Sequence, residues 1–316
     1  MGNQVNTGLA QLSDQLILVT VLFYLTAMIG YALELAFGRP RSQAKAPARE
    51  LVTVGGGETA CEPPAAESPE PAPAAWAPVA GRVAVVLAWL GWAANLAGIV
   101  TRGVAVGRWP WGNMYEFTVA ICFAAVTTFL VLSLRQPIRF LGAFVTLTGA
   151  LGLGFAVLYL HVQAGPVVPA LSSYWIAIHV GAAIIASGLF ILAGVTGVLY
   201  LVRKPGAVRL PEREDLERIV HRAIVIAFPI WTFAVIAGAL WADRAWGRYW
   251  GWDPKEVWSF ITWLAYAAYL HSRATAGWRG KAGIVIQLVA CGCLLFNLVG
   301  VNIFFPGLHS YADVSG

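Results

Sequence analysis

Eight times along this chain an apolar run of about twenty residues interrupts a more polar sequence, and that repetition constrains the fold more than any other feature. The runs fall at roughly 16–37, 83–100, 117–134, 139–160, 175–202, 223–243, 256–272 and 282–304. Helices of this length match a hydrocarbon core of about 30 Å. The fifth run is longer than the others and has to tilt or project beyond the bilayer. Composition agrees: 59% of the 316 residues are hydrophobic and 12% are charged, about half the charge fraction of a soluble domain. The expected fold class is an all-α, polytopic membrane protein with about eight transmembrane helices.

Lysine and arginine orient these helices. Basic residues cluster in alternate connections: Arg39 to Arg82, Arg135 and Arg139, Arg203 to Arg222, and Arg273 to Lys281. By the positive-inside rule those connections face inward, which places both termini on the outer, extracytoplasmic side of a plasma (inner) membrane. The net charge of +5 is therefore a membrane signal, and no nucleic-acid partner is expected. Three segments are expected: an N-terminal helix at 1–38, a flexible Pro/Ala-rich cytoplasmic linker at 39–81, and a seven-helix body at 82–316. The linker composition cannot bury a core. No cleavable signal peptide is expected, because the first apolar run follows an acidic, polar start and lacks a small-residue cleavage site. Of the four cysteines, Cys61 lies in the linker, while Cys122, Cys291 and Cys293 lie in apolar runs and read as small buried hydrophobes.

Fourteen tryptophans are present, and their placement carries most of the functional information. Residues 246–258 read Trp-Gly-Arg-Tyr-Trp-Gly-Trp-Asp-Pro-Lys-Glu-Val-Trp and occupy the outer connection between the sixth and seventh runs. Interfacial belts explain one or two tryptophans, but not Trp246, Trp250, Trp252 and Trp258 gathered with Tyr249 around two glycines. Asp253-Pro254 reads as the cap and first turn of the next helix. A rigid aromatic shelf of this size suits a large, flat π-ligand. Arg248 and Lys255 either meet carboxylates of that ligand or pair with Asp253 and Glu256; the sequence leaves both open.

The pattern Trp246-Gly247-x-x-Trp250-x-Trp252-Asp253-Pro254-Lys255-Glu256 resembles the WWD signature of the haem-handling proteins of cytochrome c biogenesis. The flanks are similar to the CcsA (ResC) group of that superfamily: Ser172-Ser173-Tyr174-Trp175-Ile176-x-Ile178-His179-Val180, Asn113-Met114-Tyr115-Glu116, and Gly307-Leu308-His309-Ser310-Tyr311-Ala312. The resemblance covers about residues 82–316. It implies haem b, as substrate and bound ligand, and it implies CcsB (ResB) and an apocytochrome c carrying CxxCH as partners. A thioredoxin-like thiol reductant is a further candidate. Trp246, Tyr249, Trp250, Trp252, Asp253, Asn113 and Glu116 are the expected haem-contacting residues.

Of the five histidines, His179 and His309 lie at the level of the Trp-rich loop, where neutral imidazole suits axial ligation of haem iron. His271 lies 18 residues beyond Asp253, about 27 Å along a helix, and cannot share their iron. It is either a snorkelling interfacial residue beside Arg273 or, as the family implies, a transmembrane haem ligand paired with a histidine of CcsB. His221 is the competitor within this chain on the same side, and His161 reads as an ordinary outer-loop residue. The resemblance implies that haem passes from the inner level to the outer shelf, where thiols of CxxCH add to its vinyl groups in a cytochrome c synthase formed with CcsB. No catalytic group beyond the haem ligands is identifiable. The rival class is a haem exporter or chaperone, CcmC-like, that does not form the thioether. A proton-coupled transporter would need ionisable groups at midplane, and the expected helices hold almost none.

Overall fold

The computed structural model describes residues 5–39, 73–166, 173–204, 209–275 and 278–309. Among these the regular structure is entirely helical. In order come α1 (Thr7–Phe37), α2 (Ala77–Val106), α3 (Met114–Ser133), α4 (Gly142–Tyr159), α5 (Tyr174–Val202), α6 (Arg213–Trp246), α7 (Pro254–Ala274) and α8 (Lys281–Leu295). A 3-10 turn, Arg139–Leu141, leads into α4. After α8 the chain passes through a π-helical turn, Phe296–Gly300, into a short α9, Val301–Phe304.

Local chemistry sets the ends of several helices. Asn6, Asn113 and Ser173 accept backbone N–H groups at the starts of α1, α3 and α5. Asp253 and Glu256 form a reciprocal capping box at the start of α7, with Pro254 in its first turn. Helices α2 and α6 stop at Gly107 (φ 65°) and Gly247 (φ 71°), a backbone conformation that a side chain would strain.

Helix α1 packs on α2 and α4, α5 packs on α6, α3 and α8, and α7 packs on α8. Small residues bring these helices close. A Cβ at Gly91 would stand 2.7 Å from the Tyr24 ring, and one at Gly188 would stand 2.7 Å from the Ala124 backbone. The antiparallel order gathers polar groups at the two ends of the bundle. At the end bearing the Trp-rich loop, Arg102 reaches Asp14 (3.3 Å), Glu116 (3.1 Å) and the Val162 carbonyl, and Arg108 reaches Glu116 (2.7 Å). At the opposite end Arg139 pairs with Glu34 (2.8 Å), Arg203 with Glu212 (2.8 Å) and Arg273 with Glu217.

Seven helices among the described residues are long and apolar enough to cross a bilayer. The one left out of the expected eight is α7, which has 21 residues but opens with Lys255 and Glu256, closes with His271 and Arg273, and carries several Trp and Tyr. Helix ends also run past the apolar limits. Helix α1 begins nine residues before the expected 16, and α6 begins ten before 223, because backbone hydrogen bonding continues where hydrophobicity stops. Helix α2 starts at Ala77, inside the segment 39–81 expected to be linker; residues 40–72 of that segment lie outside the described residues.

Candidate functional site

Helix α6 presents Trp231, Ala234, Gly238 and Trp241 along one face, at spacings of three and four residues. That stripe forms one wall of a cavity. The loop before α3 supplies Trp111 and the cap residue Asn113, α5 supplies His179, α7 supplies Lys255 and Ser259, the π-turn supplies Asn297, and His309, beyond the last helix, completes the lining. The cavity holds about 1120 Å³ of empty space, its open mouth included, and its lining is mostly apolar.

His179 sits one turn inside α5. Its Nδ1 lies 2.7 Å from the Ala234 carbonyl oxygen. A carbonyl only accepts, so Nδ1 carries the proton and Nε2 keeps its lone pair. This approach depends on Gly238, since a Cβ there would stand 2.7 Å from His179 Cε1. His309 follows the last helix, and its Nδ1 lies 2.8 Å from Asp253 Oδ1. The same reasoning gives Nδ1–H to a carboxylate acceptor and leaves Nε2 as the free nitrogen. Asp253 is fixed in turn: it caps α7 through the Lys255 N–H (3.1 Å) and accepts the Leu308 N–H (2.6 Å). Burial opposes charge on Asp253, but the bonds from His309 and Leu308 outweigh it and hold the carboxyl below its ordinary value.

Trp241 joins the two histidines. Its ring is parallel to that of His179 at 6.2 Å and tilted to that of His309 at 5.8 Å. Trp246 closes edge-on against Trp241 (4.8 Å) and His309 (5.0 Å). Trp241 is 2% exposed, so this is a packed aromatic frame with two imidazoles set in it.

The expected site residues divide. His179, His309, Trp246, Tyr249, Trp250 and Asn113 all line the cavity, and Asp253 stands behind His309 as its anchor. Trp252 lies outside that lining: it is 69% exposed, meets Trp250 edge-on at 5.8 Å, and has φ 57°, a left-handed backbone at a bulky residue. Glu116 is turned away from the cavity into the Arg102–Arg108 network, where it also accepts the Gly112 N–H at 2.9 Å. Its contribution is to fix the loop that carries Trp111 and Asn113. Arg248 packs over Gly251, exposed to solvent. Lys255 pairs with neither Asp253 nor Glu256; its Nζ donates to the Asn297 carbonyl at 2.5 Å.

His271 is exposed in the last turn of α7, at the opposite end of the bundle. His221 lies at that same end with its ring 6.3 Å from Tyr269, and among the described residues it makes no ring contact with His271. His161 contacts Asp14 (3.3 Å) and the Tyr115 ring (5.1 Å). Cys122 and Cys291 are buried free thiols and Cys293 is a part-buried one; Cys61 falls outside the described residues. Sequence reading overlooked Trp111, Trp231, Gly238 and Trp241. The regular spacing of the last three along α6 is the signal that could have found them.

Long apolar helices, with two histidines on a tryptophan-walled cavity at one end of the bundle, mark a multi-pass membrane protein. Residues 111–309 match the family described as Cytochrome C assembly protein, a span that opens on Trp111 and closes on His309, the first and last residues of the cavity wall. The chain belongs to this cytochrome c assembly protein family. It is 34% identical to the cytochrome c biogenesis protein CcsA of Chlamydomonas reinhardtii over 224 residues, covering 67% of this chain and 64% of that protein. It is 31% identical to CcsA of Guillardia theta, covering 67% and 79%. With CcsA of Parasynechococcus marenigrum it shares 33% identity, covering 67% and 81%. The chain thus spans just under two thirds of the Chlamydomonas relative's length.

Proposed function

We propose that this chain is the haem-handling subunit of a cytochrome c synthetase, which takes haem b from the inner side of the membrane to the tryptophan-walled cavity and presents it there for attachment to apocytochrome c. The observation that carries this reading is the matched state of His179 and His309. Each has Nδ1 tied to a fixed acceptor and Nε2 left for a metal, and both lie on one cavity. Among the described residues no group of three or more His, Cys, Asp or Glu could hold a bare metal ion. Two imidazoles on one cavity suit an iron already held in a macrocycle, and apolar, tryptophan-rich walls suit a porphyrin.

In this reading the chain acts by positioning. His179 and His309 hold the iron, Trp246 and Trp250 confine the macrocycle, and Asp253 keeps His309 in its ligating tautomer. Attachment adds each S–H of CxxCH across a vinyl C=C, forming a C–S bond and placing the proton on the neighbouring carbon, with no net redox change. The peptide thiols must arrive reduced, which assigns a role to a thioredoxin-like reductant. CcsB is the proposed membrane partner. His271 is the proposed inner-level ligand, with its second ligand on that partner. Eight crossings of the plasma membrane with both termini outside complete the topology, supported by the arginines gathered at the end of the bundle opposite the cavity.

The test is the absorption spectrum of the purified chain, with and without CcsB. A low-spin bis-histidine haem, weakened in His179→Gly or His309→Gly and partly restored by added imidazole, supports the reading. A double variant that retains full haem at this site refutes it. Whether the chain with CcsB yields holocytochrome c in cells lacking every other assembly factor decides between synthetase and haem chaperone.

A further inference from the structure

One wall of the cavity carries polar groups that histidine ligation does not use. Lys255, in the first turn of α7, lines the cavity and turns its ammonium away from both nearby carboxylates. Asp253 is bound to His309, and Glu256 folds back to accept the Gly251 and Asp253 N–H groups at 2.8 and 3.1 Å. The Lys255 Nζ instead meets the carbonyls of Asn297 (2.5 Å) and Leu298 (3.5 Å), both in the π-helical turn. An ammonium has three donors; two carbonyls leave one.

The second observation is independent. Asn297 is 3% exposed and lines the cavity, with its Nδ2 donating to Ser259 Oγ at 3.1 Å, while its Oδ1 is buried without a partner. Which end of an amide is oxygen follows from the network rather than from the atoms. With the amide turned over, Oδ1 accepts from the Ser259 hydroxyl and the NH₂ faces the cavity as a free donor. In either sense one end of a fully buried amide lacks a partner beside a cation with a donor to spare, and such groups are rare unless a ligand meets them.

We propose that Lys255, Asn297 and Ser259 form an anion seat that receives a propionate carboxylate of the haem, so that haem enters this cavity in one orientation. The seat lies on the α7–α8 wall, and Ser259 is one turn further along α7 than Lys255. A carboxylate there takes the spare Lys255 donor and, with the Asn297 amide turned over, its free N–H, both charge-assisted bonds. The propionates of haem share one edge of the macrocycle. Seating that edge on the α7–α8 wall turns the vinyl-bearing part away from it, toward the side left for the incoming thiols. The π-turn then has a purpose beyond packing: its carbonyls hold the lysine in place before ligand arrives.

This inference rests on the haem reading above, and the test separates the two. The full-length chain in detergent, stripped of haem, is titrated with haemin and with haemin dimethyl ester, whose propionates are blocked, and affinity and spectrum are recorded for each. Wild type should bind haemin at least about tenfold more tightly than the ester. Lys255→Met should weaken haemin binding toward that of the ester while leaving the ester unchanged, with low-spin spectra throughout. Equal affinities in wild type overturn the seat without any variant being needed. So does a Lys255→Met protein that keeps the full discrimination, or one that loses both ligands equally, which would mark the lysine as structural. Absence of a low-spin spectrum with either ligand overturns the haem reading itself.

Discussion

Gly238→Ala tests His179 without altering it. The new Cβ would stand 2.7 Å from His179 Cε1 and 2.8 Å from Nδ1, well inside the roughly 3.5–4.0 Å at which such atoms pack. The ring must retreat by most of an ångström. That retreat stretches the 2.7 Å bond to the Ala234 carbonyl and moves Nε2 off its line into the cavity. Losing one neutral hydrogen bond removes about 1 kcal/mol, and with the displaced nitrogen the expected loss in haem affinity is roughly tenfold. Haem per protein and the visible spectrum of the purified variant give the readout, and a growing high-spin component is the signature of one weakened axial ligand. Gly154→Ala is the matched control, since a Cβ there meets nothing within 4 Å. A Gly238→Ala protein with wild-type haem content and an unchanged low-spin spectrum would refute the assignment of His179.

Four further outcomes are expected. Asp253→Asn keeps the helix cap but gives His309 a neutral partner, and should lower haem affinity about 10- to 100-fold; wild-type affinity in the variant would show that the carboxylate only caps. The Asp253 carboxyl is held below its ordinary value, so its contribution is complete above the usual carboxylate range and fades only as pH falls through that lowered value, leaving the Asp253 charge constant from about pH 5 to 8. Trp250→Ala, at equal protein abundance, should reduce cytochrome c maturation more than Arg248→Ala, with roughly 0.5–1.5 kcal/mol lost per aromatic contact; equal effects would make the loop a structural element only. Glu116→Gln should lower stability by about 1.5–3 kcal/mol, because Arg102 keeps Asp14 but both arginines lose a charged acceptor, while the spectrum of the surviving folded protein stays low-spin. His271→Ala should empty both levels and His179→Ala should trap haem at the inner one; normal outer haem in His271→Ala would refute a route through the protein.

Much of the fold was readable because its strongest signal, apolar length, is also what a bilayer selects. Seven of the eight expected spans meet that criterion by their own composition. Helix α7 shows where the signal thins: its Tyr266 and Tyr269 are fully buried yet score as weakly hydrophobic, and both ends are charged. Its helical start was still legible, because Asp253-Pro254 with Glu256 is a local capping pattern that needs no tertiary information. The extra turns of α1 and α6 were not legible. They lie in polar sequence and are held by contacts made across the fold, such as the Asn6 N–H with the Ala105 carbonyl (3.0 Å).

The site was legible to the extent that its chemistry sits in one loop or on rare residues. Two histidines at one depth stood out because imidazole is scarce in this chain, but the partner that fixes each ring was hidden. The acceptor for His179 is a backbone carbonyl 55 residues away, which has no signature in sequence, and Gly238 looks like any other glycine of a membrane helix. Asp253 was visible as a cap, and the same residue orients His309 across 56 residues. Glu116 misled for the converse reason: it stands in a distinctive motif at the cavity's edge, but Arg102 and Arg108 claim its carboxylate, and both reach it from outside that motif. Trp252 was grouped with Trp250 because both stand in the dense Trp-rich loop, whereas it has a left-handed backbone and is 69% exposed. A cluster of rare residues therefore located the cavity, while the division between residues that line it and residues that brace those residues depended on long-range hydrogen bonds. That division places Asp253 and Glu116 in the same category, one bracing a histidine and the other a loop, and it is why their substitutions should differ: the first in haem affinity, the second in stability alone.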